Sequence, residues 1–334
     1  MSALLPIVQP QGPRLVGIAR LASLGHSLDH GHEVEYFSLP VRSLLNRCTS
    51  ARMPFTWTIN PYRGCEFACK YCYARYTHEF MEMRDGLDFE RKIFVKQHAA
   101  ELLRHDLKKV KPDEDIAIGT ATDPYQPAER RFGITRAIME ELARHRGLSI
   151  GVVSKSTLML RDVDVFRQIA ASNDFEVTLT ITTVDAHLAR ILEPRTPRPD
   201  LRLEVLRKLT QAGIRAGVIV APVMPGISDS PQQLDALVKA AKEAGAHYIF
   251  ANALFLKPCS EAIFMPWLER EFPALAEKYR QRYHARAFLP AAYRKRLSSL
   301  MKALRRKHGF YGRESRDLPK AMKQPPEADQ MELF

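Results

Sequence analysis

Cysteine, tryptophan and long apolar runs are all scarce in this sequence, and each shortage excludes something. Five cysteines among 334 residues are few and odd in number, so a disulfide framework does not hold this chain together. No stretch approaches the roughly 18 apolar residues of a membrane-crossing helix. The opening residues, Met1-Ser2-Ala3-Leu4-Leu5-Pro6, lack a basic segment followed by a long apolar one, so no secretory leader is expected. A cytoplasmic protein with free thiols and no membrane partner is the expectation. Gly (16) and Pro (22) are not in excess and 46% of residues are hydrophobic, which excludes a disordered chain.

Acidic residues are also in deficit, 38 against 50 Lys and Arg, but the deficit is local. Between positions 280 and 323 fourteen Lys or Arg stand against two acids, Glu314 and Asp317, so this segment holds the whole net charge of +12. Tyr283, Phe288, Tyr293, Phe310 and Tyr311 are interleaved with it. A basic stripe carrying aromatics suits a phosphate backbone and stacked bases, and equally suits a solvated helix face.

What the sequence does have is three of its five cysteines within eight residues, Cys65-Glu66-Phe67-Ala68-Cys69-Lys70-Tyr71-Cys72, a C-x3-C-x2-C spacing. Three local thiols suit an iron–sulfur cube with one iron left for a ligand from outside the protein. A structural zinc site is the competing reading, with Cys48 or His78 as fourth ligand, although no second C-x2-C knuckle accompanies the first. A redox pair of Cys69 and Cys72 would leave Cys65 unexplained.

The surrounding pattern predicts an α/β fold. Residues 55–59 form a β-branched and aromatic run that stops at Asn60-Pro61 and feeds the cysteine loop. The spacing of Tyr76, Phe80 and Met83 predicts a helix ending near Gly86, and 92–96 reads as a short strand or extended connection. A helix is expected at 99–109. Further short apolar runs at 116–120, 148–153, 177–181, 214–221 and 248–256 alternate with helices expected at 135–146, 161–171, 186–192, 199–212 and 231–244, with a helical region from 261 onward. Strands buried on both faces between helices predict a parallel sheet, here a partial (β/α)6 barrel. The expected organisation is an extension over 1–50, the barrel domain over 51–285 and a basic helical tail over 286–334. Each strand ends in a polar segment, and in a parallel barrel these converge on one face.

Those segments carry a resemblance. The cysteine loop, Thr122-Asp123-Pro124-Tyr125-Gln126-Pro127 with Glu129, Ser154-Lys155-Ser156 and Leu192-Glu193-Pro194-Arg195 resemble the spore photoproduct lyase-related, DNA repair photolyase-like branch of the radical S-adenosylmethionine superfamily, over about residues 55–260. The resemblance implies that Cys65, Cys69 and Cys72 hold a 4Fe-4S cluster whose open iron binds S-adenosyl-L-methionine. An electron delivered by an external reductant, such as flavodoxin or ferredoxin, would split that cofactor into methionine and a 5′-deoxyadenosyl radical that abstracts hydrogen from substrate. It implies that Tyr71 lies near the adenine, that Lys155 faces the cofactor carboxylate, and that Ser154, Ser156, Thr180 and Thr182 contact carboxylate or ribose. Thr120, Thr122 and Asp123 stand where relatives carry a glycine-rich strand end for the cofactor amine, so Asp123 is a candidate amine ligand. Glu193 and Arg195 are expected to pair. The hydrogen-donor cysteine that the lyase carries after its second strand is missing from Gly119-Thr120-Ala121-Thr122-Asp123, which leaves Cys259 as a candidate donor on the same face. The substrate class left open includes nucleic acid. The competing class is a nucleic-acid-binding protein with a purely structural metal or Fe–S site.

Overall fold

The computed structural model describes residues 15–31, 33–50, 53–284 and 286–310. Its strands are β1 (Ser27–Gly31), β2 (Val34–Ser38), β3 (Leu45–Arg47), β4 (Trp57–Ile59), β5 (Tyr62–Arg63), β6 (Lys92–Val95), β7 (Asp115–Ile118), β8 (Ser149–Ser154), β9 (Asp174–Thr180), β10 (Arg215–Val223) and β11 (Ile249–Ala253). The short β-branched runs sit where burial on both faces demands them: Val152, Val177, Leu179, Val218 and Val220 have no exposed surface. They form one sheet in the order β11-β10-β9-β8-β7-β4-β3. Six of its strands are parallel neighbours in chain order, and β3 joins β4 antiparallel at one edge. The fold class is thus α/β with a parallel sheet, as the alternation predicts.

Helices between the strands bury their apolar stripes against the sheet. Ile134–Leu142 contributes Ile138, Met139 and Leu142, Val163–Ala170 contributes Phe166 and Ile169, and Pro199–Gln211 contributes Val205, Leu206 and Leu209, all in one cluster with the strands. Helix starts are written in the sequence. Asp185 accepts from the backbone N–H of His187 and Leu188 ahead of Ala186–Leu192, and Ser230 with Gln233 makes a full capping box ahead of Pro231–Glu243.

Three stretches depart from expectation. Residues 27–47, which carry no sustained periodicity, supply β1, β2 and β3. Strands of 3 to 5 residues are too short to set a pattern, and β2 finds its parallel partner in β6, far along the chain. The resulting second sheet, β1-β2-β6-β5, lies beside the cysteine loop and makes Lys92–Val95 a strand, with Lys96 just past its end. The helix expected up to Gly86 stops early, covering only Tyr76–Glu79. The chain turns back there, with Met83 N–H donating to His78 O (3.1 Å) and Glu82 in the left-handed region at φ 61°. The basic carboxyl-terminal region contains a helix, Ala291–Lys307, whose Leu297, Met301 and Leu304 join the main core, while Lys307 and His308 are tied to Asp235. Its residues 311–334 lie outside the described residues. No helix among the described residues is long and apolar enough to cross a membrane.

Gly119 lets β7 end and turn toward the polar face. Its φ is +89°, and a Cβ there would meet Val153 O at 2.6 Å and Pro124 Cδ at 2.7 Å, a backbone atom and a ring that cannot swing away. Gly119→Ala is expected to cost about 2 kcal/mol or more, read from urea denaturation. A variant as stable as the parent would contradict this placement.

Candidate functional site

The cysteine loop is pinned along its whole length. Gly64, at φ +85°, brings the backbone within van der Waals reach of Lys92 O, where a Cβ would sit 2.7 Å away. Its carbonyl accepts from Thr122 Oγ1 (2.6 Å) and Gln126 Nε2 (3.1 Å). Cys65 N–H donates to Phe89 O (2.8 Å), and Glu66 N–H donates to Gln126 Oε1 (3.0 Å). The Glu66 carboxylate, buried and pushed upward in pKa by that burial, accepts from Ala128 N–H (2.6 Å) and Tyr36 OH (3.0 Å). From the other side the buried guanidinium of Arg75 donates to Cys69 O (3.1 Å), Glu90 (2.7 Å) and Gly86 O (2.6 Å). Neither the Gln126 clamp nor the Arg75 clamp is marked by any spacing in the sequence.

All three thiols are free, and those of Cys65 and Cys69 are buried. Burial raises the Cys65 thiol far above its usual value, with Asp123, Cys69 and Cys72 adding to the rise. It pushes the Cys69 thiol up to about 12, against the pull of Lys155. Three sulfurs within electrostatic reach of one another, in surroundings that penalise a bare thiolate, form a donor set that suits a cationic iron–sulfur group. No three His, Cys, Asp or Glu among the described residues are arranged to hold a single metal ion. His78, a proposed zinc ligand, is packed on Phe89 and Phe94 with Nε2 3.0 Å from Lys92 O.

Beside the thiols stands a buried charged network. Glu193 and Arg202, each side chain 1% exposed, form an ion pair. Glu193 also accepts from Thr182 Oγ1 (2.6 Å), Tyr71 OH and Thr196 Oγ1 (3.3 Å), and Tyr71 OH lies 3.2 Å from Thr182 Oγ1. Arg202 reaches Thr180 O (3.0 Å) and Pro197 O (2.8 Å). Burial opposes the Glu193 charge, yet Arg202 and Lys155, helped by hydrogen bonds from Thr182 and Tyr71, hold its pKa down to about 2. The Lys155 ammonium lies 5.8 Å from the Tyr71 ring centre. Burial works against its charge too, but Cys69, Glu193 and Asp123 outweigh it and raise its pKa. Glu193 therefore pairs with Arg202 and not with Arg195, which reaches out to Glu33 at 2.9 Å. The proline between 193 and 195 turns Arg195 away from the interior.

Asp123 sits in the same constellation, but its oxygens are engaged by Ser154 Oγ (2.7 Å), Tyr125 N–H (2.9 Å) and Lys155 N–H (2.8 Å). The Ser154 hydroxyl also accepts from Ser156 N–H (3.0 Å), and the Ser156 hydroxyl accepts from Leu158 N–H (3.1 Å), so both serve the strand-end turn. Thr120 bonds Asn60 (3.2 Å). Cys259 begins the helix Pro258–Glu271, half-buried, and the neighbouring Ser260 hydroxyl donates to Cys72 O (2.9 Å), which sets Cys259 beside the loop. Cys65, Cys69, Tyr71, Asp123, Ser154, Lys155 and Thr182 thus meet in one place. Thr120, Ser156 and Cys259 border it. Arg202 is the member that the sequence did not reveal.

The Radical SAM superfamily model matches residues 59–248 of this chain. An uncharacterized protein of Mycobacterium tuberculosis is 35% identical over 281 residues, which cover 84% of this chain and 82% of that protein. One of Methanocaldococcus jannaschii is 30% identical over 217 residues, covering 65% and 76%. Among solved structures, spore photoproduct lyase complexed with dinucleoside spore photoproduct matches in fold with a TM-score of 0.62 at 15% identity, covering 90% of this chain and 85% of that one. A variant of that lyase with bound AdoMet gives 0.61 at 16%, covering 82% and 79%.

His78 supplies a pH test of the packing under the loop. Burial lowers its pKa from 6.5 to about 4, so the unfolded chain binds a proton that the folded chain refuses. Its contribution is fully present above pH 6.5 and is lost as the pH falls from 6.5 toward 4. His78→Phe is expected to flatten the stability loss across that window. An unchanged pH profile would contradict this.

Proposed function

The chain belongs to the radical S-adenosylmethionine superfamily, an enzyme class whose members use that cofactor with an iron–sulfur cluster, and from this premise we propose a specific division of labour among its residues. Cys65, Cys69 and Cys72 hold a 4Fe-4S cluster. When bound, the cluster supplies the electron for reductive cleavage of S-adenosylmethionine, and so the start of hydrogen abstraction from substrate. The observation that carries this reading is the meeting of three free, neighbouring thiols with the half-buried Lys155, whose charge acts on Cys69.

Lys155 would face the carboxylate of the cofactor, a charge-assisted contact. Tyr71, Thr182, Glu193 and Arg202 are positioning residues: their hydrogen bonds tie the loop to the end of β9. Phe67, Met224, Leu254 and Leu256 pack with the loop and exclude water from it. Cys259, beside Cys72, is the candidate hydrogen donor. An external one-electron reductant of the flavodoxin or ferredoxin kind completes the system.

The substrate we propose is a nucleic acid. Lys278, Arg282 and Arg286, with Gln281 and Pro290, line a cavity of about 360 Å³. It flanks the end of β11, because the adjoining segment bonds there through Leu256 N–H to Ala287 O (2.9 Å). Three cations with no ion pair among the described residues suit a phosphate backbone. The aromatics interleaved in this region do not offer stacking platforms. Tyr283 donates to Leu254 O, Tyr293 donates to Asp229, and Phe288 packs on Phe255. Tyr311 lies outside the described residues.

Anaerobic reconstitution is expected to give about four irons per chain and 5′-deoxyadenosine on reduction. Cys69→Ala should abolish both, and Lys155→Met should raise the KM for S-adenosylmethionine about tenfold while retaining iron. Binding of zinc alone, or cofactor cleavage by Cys69→Ala at the parental rate, would overturn the reading. For the substrate, affinity for single-stranded oligonucleotide should fall with salt. Replacing Lys278, Arg282 and Arg286 with Ser should reduce the logarithmic salt slope by about 2, and an unchanged slope removes the cavity from the interface.

A further inference from the structure

Two lysines flank the cysteine loop, Lys155 part-exposed and Lys96 buried, and among the described residues only Lys155 has counter-charges. Lys155 answers to Cys69, Glu193 and Asp123. Among the described residues no acid acts on Lys96. It follows β6, with its backbone N–H donating to Pro61 O (3.3 Å), and only 4% of its surface is exposed. Its ammonium makes no hydrogen bond and no ion pair among the described residues, and the one charge that acts on it is another cation, Arg63.

The strand register explains the encounter. Lys96 lies one residue past the end of β6, two places on from Phe94, and its bond to Pro61 O carries the pairing with the β5 segment one step further. Arg63 on β5 stands opposite Phe94. The short helix Tyr76–Glu79 packs on both: the His78 ring lies 5.9 Å from that of Phe94, and Arg63 Nη1 donates to Thr77 O (3.2 Å). Arg63 also acts on Tyr76 and His78, and neither supplies a carboxylate. Burial and the Arg63 charge together bring the Lys96 pKa down to about 7. A lysine is almost never fully buried without a partner, and here the nearest charged group repels it.

We infer that Lys96 and Arg63 form an anion subsite on the flank of the cysteine loop, built to take a phosphate group. A dianion answers both cations at once, whereas a single carboxylate leaves one uncompensated. The guanidinium offers planar two-point donation to phosphate oxygens, and the ammonium adds a point charge beside it. Arg63 is only half-buried, which opens the pair to a ligand. Tyr76, within electrostatic reach of Arg63, Cys72 and Cys259, joins the subsite to the loop. The phosphate would be free inorganic phosphate or the phosphoester of a larger molecule. The inference does not depend on the catalytic reading, because it concerns binding to a separate pair of side chains.

The test uses the full-length reconstituted protein and three probes: inorganic phosphate, a nucleoside 5′-monophosphate, and a dinucleotide whose one phosphate is a diester. Calorimetry and thermal melting are expected to detect binding of at least one probe to the parent, with affinity falling about tenfold or more in Lys96→Met and largely retained in Lys96→Arg. Without any probe, Lys96→Met should melt at or above the parental temperature, since it removes an uncompensated buried charge. Preference for phosphate or the monoester identifies the dianionic ligand that the two cations call for, and preference for the dinucleotide, whose one phosphate is a monoanion, would overturn the inference. The inference is overturned if no probe binds the parent, or if Lys96→Met binds as tightly as the parent.

Discussion

Glu193 carries a full negative charge into the interior beside the cysteine loop, and the site around it depends on how that charge is satisfied. Arg202 neutralises it, Thr182, Thr196 and Tyr71 donate hydrogen bonds to it, and Lys155 adds a second positive charge nearby. Because each partner sits on a different segment, one carboxylate fastens the loop, the end of β9 and the helix Pro199–Gln211 together. Removing one member of a buried pair of this kind costs on the order of 3–5 kcal/mol, since it strands the other. Preorganisation of the loop is therefore a consequence of electrostatic satisfaction as much as of packing.

The opposite flank is organised by hydrogen bonds from side-chain amides, hydroxyls and backbone N–H groups. Gln126 and Thr122 hold Gly64 O, and Asp123 ties the turn after β7 to the turn after β8. The polar residues at the strand ends thus divide into those that build the turns, as Ser154 and Ser156 do, and those that present charge, as Lys155 does. Lys96 belongs to neither group. It is more buried than Lys155 and no acid among the described residues acts on it, so the two lysines sit in opposite electrostatic surroundings.

The sequence made some of this legible and concealed the rest for definite reasons. The cysteine motif is local, so its three thiols could be read directly as candidate ligands, and the six parallel strands follow from apolar runs alternating with helices. The strand-end segments could be assigned to one face because parallel topology carries all of them there. The Glu193–Arg202 pair could not be read, since the partners are nine positions apart across a proline turn and Arg195 is the nearer candidate. The second sheet was hidden because its strands are very short and β2 pairs with β6 across a long loop. Lys96 looked like the polar end of a possible strand, and only its register against Arg63 exposes it as a buried cation.

The central claim is that three thiols in a fixed loop hold a multi-iron cluster with one iron left for the cofactor. Mössbauer spectroscopy of the reconstituted, iron-57-labelled protein tests it most directly. On addition of S-adenosylmethionine, one iron site is predicted to shift to a distinct signal while the others remain unchanged. Four irons that stay equivalent with and without the cofactor would contradict the account.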